Sequence, residues 1–322
     1  MSQLSIINLE SLVNPEHIYR KFLRIWKLTE VDKIITAKLP KVTQEGYGPT
    51  RLFRCLLLQH LEDLSDRELE RYLQENTAGK WFCGFELSER TPDYSLFTRV
   101  RKKLGTETLA QIFQDLKSQL QQSGYMNETF NFVDASHLIA KANLWKERDE
   151  AIKQKYEKLN NDTLPKVAHD KDARIGCKGK DKFWYGYKEH VSVDMQSGMI
   201  GKIAITPANI TDAQGLRHVC PKGGVTYADK GYCTKKAHKI ARANNNELVA
   251  IKKNNMKGKN FDEDRWNSHL RMPYERVFAH RNRRVKYCGI AKNQFSAFMR
   301  AITFNIKRWI VLARSPVDLA TS

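Results

Sequence analysis

Along "RLFRCLLLQHLEDLSDRELERYLQEN", residues 51–76, apolar side chains return every three to four positions, the period of a helix buried along one side. The period breaks near Leu64, where Ser65 and Glu68 have the spacing of a capping box, so a second helix starts there. "TPDYSLFTRVRKKLG" predicts another helix, entered after Pro92 and stopped by Gly105. In "TLAQIFQDLKSQL" one face collects Leu109, Ile112, Phe113, Leu116 and Leu120, and Gly124 follows shortly. Residues 1 to about 125 therefore read as an all-helical region whose stripes form a core.

The pattern then changes. "TFNFVDASHLI" is rich in strand formers and carries Asp134, read here as a strand-end carboxylate. Residues 144–159, "LWKERDEAIKQKYEKL", predict a solvated helix, and a Lys- and Gly-rich stretch runs on to about residue 182. "YKEHVSVDMQSGMIGKIAIT" predicts two strands around a Gln-Ser-Gly turn, with Asp194 bonding locally before the turn. "TDAQGLRHV" predicts a short helix capped by Thr211, with Asp212 in its first turn. A strand "GVTYAD", a helix "TKKAHKIARANN" and a strand "ELVAIKK" follow. Strand, hairpin, helix, strand, helix, strand and then helices imply an α/β unit, a mixed sheet covered by helices.

Composition adds a partner. Of 322 residues, 55 are Lys or Arg and 36 Asp or Glu, a net charge of +19, which draws polyanions, nucleic acid before a membrane surface. No apolar run approaches the roughly 18 residues that span a bilayer, and the N-terminus has no secretory pattern, so a cytoplasmic protein bound to nucleic acid is expected. Six scattered cysteines without a Cys-x-x-Cys indicate reduced thiols. His218, Cys220, Cys233 and His238 are conceivable zinc ligands but lack the close pairing of zinc modules.

Three acids carry candidate chemistry. Asp134 and Asp229 belong to strand ends, and Glu275 lies in "RMPYERVFAHRNRRVKYCG". Asp229, in "VTYADKGY", reads either as a turn residue or as a carboxylate held for a metal. Carboxylates on neighbouring strands converge, and magnesium binds through a few of them together with phosphate oxygens. His137, His190 and Tyr232 read as packed or hydrogen-bonded residues.

Taken in order, "LSDRELERYL", "TPDYSLFTRVRKKLG", "FVDAS", "GYKEHVSVD", "TPANITDAQ", "YADKGY", "YERVF" and "RRVKYCGIAKNQFSAFMRAITFNIKRW" resemble the DDE transposases of the IS5 family, within the IS4-like group. The resemblance covers most of the chain. It implies an RNase H-like fold at 126–322, with a charged insertion at about 140–182 and a basic helical C-terminal segment. It also implies a helical domain at 1–125 that binds DNA ends, catalysis by Asp134, Asp229 and Glu275, and Mg²⁺ (or Mn²⁺) as the metal. The expected partners are double-stranded DNA, both terminal inverted repeats and target, and a second copy of the chain in the synaptic complex. The expected location is the bacterial nucleoid. The rival readings are a transposase-derived DNA-binding protein without catalysis and a nuclease without strand transfer.

The wider family spaces its glutamate motif as Y-x2-R-x3-E-x6-K. Here Arg271 and Glu275 fit, whereas Ser268 and Asn282 replace the tyrosine and the lysine. Pro273 favours a first helical turn, which leaves Arg271 just outside the helix. Residues 251–310 hold 15 Lys and Arg against 4 Asp and Glu, a surplus of eleven that surrounds Glu275. Arg271, Arg276, Arg281, Arg283, Arg284 and Lys286 are the candidate DNA contacts there, with Lys178 and Lys180 in the "KGKDK" stretch.

Overall fold

A computed structural model describes residues 8–38, 46–142, 153, 160–179, 182–253, 256, 260–279 and 283–313. Lys180, Arg281, Asn282 and the expected helix at 144–159, apart from Lys153, lie outside the described residues. So do the side chains of Arg271, Pro273, Glu275 and Arg276.

The chain divides into two compact units, one of residues 1–122 with 298–322 and one of residues 123–297. The first is helical: α1 (Leu9–Leu12), α2 (Ile18–Leu28), α3 (Val31–Lys38), α4 (Pro49–Leu61), α5 (Asp66–Glu75), α6 (Thr77–Cys83) and α7 (Tyr94–Gln122). Its core is aromatic. Trp26 stacks on Phe53 at 5.9 Å between ring centres, and Phe22 meets Phe82 edge-on at 5.5 Å. The capping box is present: Ser65 Oγ accepts from the Glu68 N–H at 3.3 Å, and Glu68 accepts from the Ser65 N–H at 2.7 Å. Gly105 breaks α7 with φ 72°, a left-handed value that a glycine adopts at little cost.

The second unit carries β1 (Phe130–Ile139), α8 (Leu164–Val167), β2 (Arg174–Lys178), β3 (Lys182–Asp194), β4 (Ile200–Pro207), α9 (Asp212–Val219), β5 (Val225–Ala228), α10 (Lys235–Ala243), β6 (Glu247–Ala250) and α11 (Phe261–Ala279). A last helix, α12 (Ile290–Leu312), begins in this unit, and its residues from 298 are counted with the first. The sheet runs β2-β3-β1-β5-β6, with β4 also on β3. β1 is antiparallel to β3 and parallel to β5, and β5 is parallel to β6, so the sheet is mixed. Both β2 and β4 pair with the edge of β3 that faces away from β1.

Beneath the sheet, Val133 and Ala228 join Leu216 and Val219 of α9, Ala237 and Ala241 of α10, and Tyr232 in one buried cluster. Helix α9 starts at the expected Thr211, whose hydroxyl accepts from the Gln214 N–H. It packs so closely on β3 that a Cβ at Gly215 would stand 2.0 Å from the His190 ring. The hairpin turn is tied by Asp194, which accepts from Ser197 N–H and Oγ at 2.9 and 2.6 Å.

Three local expectations are corrected. Asp134 does not end its strand: β1 continues to Ile139 because β3 pairs with it as far as Gly186. The Lys- and Gly-rich stretch contains a strand, β2, formed by pairing along β3. Helix α11 runs unbroken through Pro273, so position 271 is inside the helix, one turn before position 275.

Candidate active site

Two of the three candidate acids come together in the middle of the sheet. The parallel pairing of β1 with β5 ends at Val133 opposite Ala228, and Asp134 and Asp229 are the next residue on each chain. That register sets their α-carbons about one strand spacing, ~4.8 Å, apart. Val133 and Ala228 point into the core under α9 and α10, so alternation turns Asp134 to the opposite face, with Asp229 beside it on extended backbone (φ −73°, ψ 170°). Both side chains are half-buried.

The two carboxylates are held alike. Asp134 Oδ1 accepts the N–H of Ala135 at 2.8 Å, and Asp229 Oδ1 accepts the N–H of Lys230 at 2.6 Å. Asp229 also caps the short 3-10 turn Lys230–Tyr232, as the turn reading of "VTYADKGY" expects.

Helix α11 covers that same face. Tyr274 packs against Phe132, two residues before Asp134, with 6.3 Å between ring centres, and its hydroxyl donates to the Met195 carbonyl. Position 275 follows Tyr274 on this helix. Among the described residues, no group of three His, Cys, Asp or Glu side chains forms a metal cluster, and the set His218, Cys220, Cys233 and His238 is not one.

Of the described basic candidates, Arg283 and Arg284 lie at the far end of β1. Arg284 bridges Ile139, whose N–H donates to the Arg283 carbonyl at 2.6 Å and whose carbonyl accepts the Val285 N–H at 2.9 Å. Arg283 donates to His137 Nε2 at 3.1 Å, and Arg284 to the Ala140 carbonyl at 3.1 Å. Burial lowers the His137 pKa, and the positive charges of Arg283 and Lys178 lower it further, which keeps the ring neutral and able to accept. Arg283, Arg284 and Lys178 are exposed, and Lys286 is half-buried. His137 is out of phase with Asp134, so its contact with Arg283 lies on the face of β1 opposite Asp134.

One carboxylate escaped the sequence reading. Glu189 on β3 is fully buried opposite Ser136, two residues beyond Asp134 on the same sheet face. The signal was a glutamate in phase with the apolar positions Tyr187, Val191 and Val193. Asp212, read as a helix-start residue, is one, and it also accepts from Lys188 Nζ at 2.8 Å.

The family described as "Transposase DDE domain" matches residues 133–306, over half of the chain, from just before Asp134 to beyond position 275. The chain belongs to this family. Its mixed sheet covered by helices is the RNase H-like fold. A second family, "Transposase domain (DUF772)", matches residues 7–103 in the helical unit. Among curated proteins, the chain is similar to the "Transposase for insertion sequence element IS1106" of Neisseria meningitidis serogroup B, with 31% identity over 140 residues. That alignment covers 42% of this chain and 47% of the relative, so the match spans about half of the relative's length. No solved structure matches the chain.

Proposed function

We propose that this protein is the transposase of an insertion sequence of the IS5 group, which cuts DNA at the element's terminal inverted repeats and joins the freed 3′ ends to target DNA. The observation that carries the reading is the pair Asp134 and Asp229, side by side on the face covered by α11. Two carboxylates one strand spacing apart repel each other unless a cation lies between them. An oxygen-only donor pair suits a hard divalent ion, so Asp134 and Asp229 would hold Mg²⁺, or Mn²⁺ in its place, with Glu275 of α11 as the third ligand. Such ions activate the attacking oxygen and stabilise the leaving oxygen of an in-line phosphoryl displacement.

The chain's own part is positioning. The Ala135 and Lys230 N–H groups hold one oxygen of each aspartate, which fixes where the other oxygen points. Arg271 and Arg276 on α11, with Arg281, Arg283, Arg284, Lys286, Lys178 and Lys180, would neutralise DNA phosphates by replacing their counterions. The helical unit would recognise the ends, and two copies would bring two ends together. The chain would act on the nucleoid. Among the described residues, no helix is long and apolar enough to cross a membrane.

The test is a joining assay with DNA carrying the flanks of the protein's own gene, a supercoiled target plasmid and Mg²⁺. Products in which a 3′ end is covalently joined to the plasmid are expected. Cut but unjoined ends would make the protein a nuclease, and bound but uncut DNA would make it a DNA-binding protein.

A further inference from the structure

In the helical unit, the first arm of α7, residues 94–104, is a two-faced rod about 16 Å long. Leu96, Phe97, Val100 and Leu104 are buried. On the other side Ser95, Thr98, Arg99, Lys102 and Lys103 are exposed, and the arm contains no acidic residue. Ser95, Arg99 and Lys102 stand at i, i+4 and i+7, one line along the helix. The fourth cation of the arm, Arg101, turns inward. It makes a bidentate pair with Asp66 at the start of α5, one bond of which measures 2.9 Å. Asp66 also accepts from Gln59 of α4 at 2.6 Å and from Thr98 at 3.2 Å. Burial raises the Asp66 pKa, but the bonds and charge of Arg101, together with the bonds from Gln59 and Thr98, hold it below the usual carboxylate range. Arg67 of α5 lies over the Tyr94 ring at 4.8 Å. The arm is therefore clamped to α4 and α5, with its cationic face outward.

We infer that this arm of α7 enters the major groove of the element's end DNA and reads its bases through Ser95, Arg99 and Lys102, with α5 bracing it. The inference rests on the reading of the helical unit as the end-binding part, and adds to it the helix and side chains that do the reading. A major groove about 12 Å wide admits one helix, and the residues near such a helix's N-terminus contact base edges. Arginine and lysine there pair with guanine, and serine bonds to any base edge. The break at Gly105 ends the arm at Leu104, so Lys102 and Lys103 lie in its last turn.

Helix α2 is the competing surface, since it too has four cations and no acid. Arg20 and Lys21 of that helix are committed to ion pairs with Glu10 and Glu16, which leaves Arg24 and Lys27 as its exposed charges. Arg20, Arg24 and Lys27 share the i, i+4, i+7 spacing on α2, but Arg20 of that line is bound to Glu10 and to the Val13 carbonyl.

The experiment uses the full chain and duplexes tiling the DNA on either side of its gene, each competed against a scrambled duplex of the same composition. Wild type is expected to prefer a flanking duplex. The double variant Arg99→Ala, Lys102→Ala should lose about 5- to 100-fold of that preference per lost base contact. Arg24→Ala with Lys27→Ala should keep the preference. Arg99→Gln with Lys102→Gln, which retains much of each stem, repeats the measurement should the alanine variant unfold. An unchanged preference in the α7 variants, or a loss confined to the α2 variant, overturns the assignment of the helix. A wild type that prefers no flanking duplex overturns the end-binding reading itself, and the inference with it.

Discussion

His190 makes the fold sensitive to acid at the strand beside Asp134. Its ring is fully buried on β3, opposite Ala135 of β1, and pressed against Gly215 of α9. Nε2 shares a hydrogen bond of 2.9 Å with Thr206, while Nδ1 is buried with no partner among the described residues. Burial is the main reason its pKa is pushed down to about 4 from 6.5; Lys188 and His218 add to the effect, and Asp212 and Glu189 oppose it. A depressed histidine pKa means that the unfolded chain takes up the proton first. Stability is therefore full above pH 6.5 and is lost progressively as pH falls towards 4. Near pH 5 the unfolded imidazole is almost fully charged and the folded one almost neutral, so this residue alone costs about 2 kcal/mol relative to pH 7.5. The assay is urea denaturation of wild type and His190→Gln at both pH values, because glutamine retains a partner for Thr206 but does not titrate. Wild type should lose about 2 kcal/mol more than the variant over that interval. Equal losses would refute the reasoning.

Two other perturbations test separate parts of the account. Arg101→Ala leaves Asp66 charged and largely enclosed, with 19% of its side chain exposed, and should cost about 2–4 kcal/mol in urea denaturation. A loss below about 0.5 kcal/mol would show that solvent screens the pair. Replacing Arg283, Arg284 and Lys286 with Ala should flatten the plot of log affinity against log salt by roughly 1 to 3, up to ~0.9 for each phosphate released. An unchanged slope would put the DNA track elsewhere.

What could be read from the sequence was what neighbours in the chain decide. Ser65 with Glu68, Thr211 as a helix cap, and Asp194 before its turn act within three residues, and their bonds are present as expected. The length of β1 beyond Asp134 was hidden because it depends on β3, whose Gly186 admits the close approach: a Cβ there would stand 2.1 Å from the Leu138 carbonyl oxygen. β2 was hidden for the same reason, since Gly176 and the Lys- and Gly-rich residues that follow signal a loop, and the ladder comes only from pairing with β3. Pro273 misled because its local preference for a first turn yields to the packing of Tyr274 on Phe132. Asp134 and Asp229 could be named from the sequence, but their adjacency comes from a parallel pairing between segments almost a hundred residues apart.

The most direct test of the central claim separates binding from chemistry. Asp134→Asn, Asp229→Asn and Glu275→Gln keep nearly the same side-chain shape but remove the charge that holds a hard cation. Gel-shift affinity for an end duplex and single-turnover cleavage of the same DNA in Mg²⁺ are measured on each variant. The account predicts that binding persists, or strengthens slightly because a negative charge near the phosphates is gone, while cleavage falls by orders of magnitude. Cleavage near the wild-type rate in all three folded variants would contradict it.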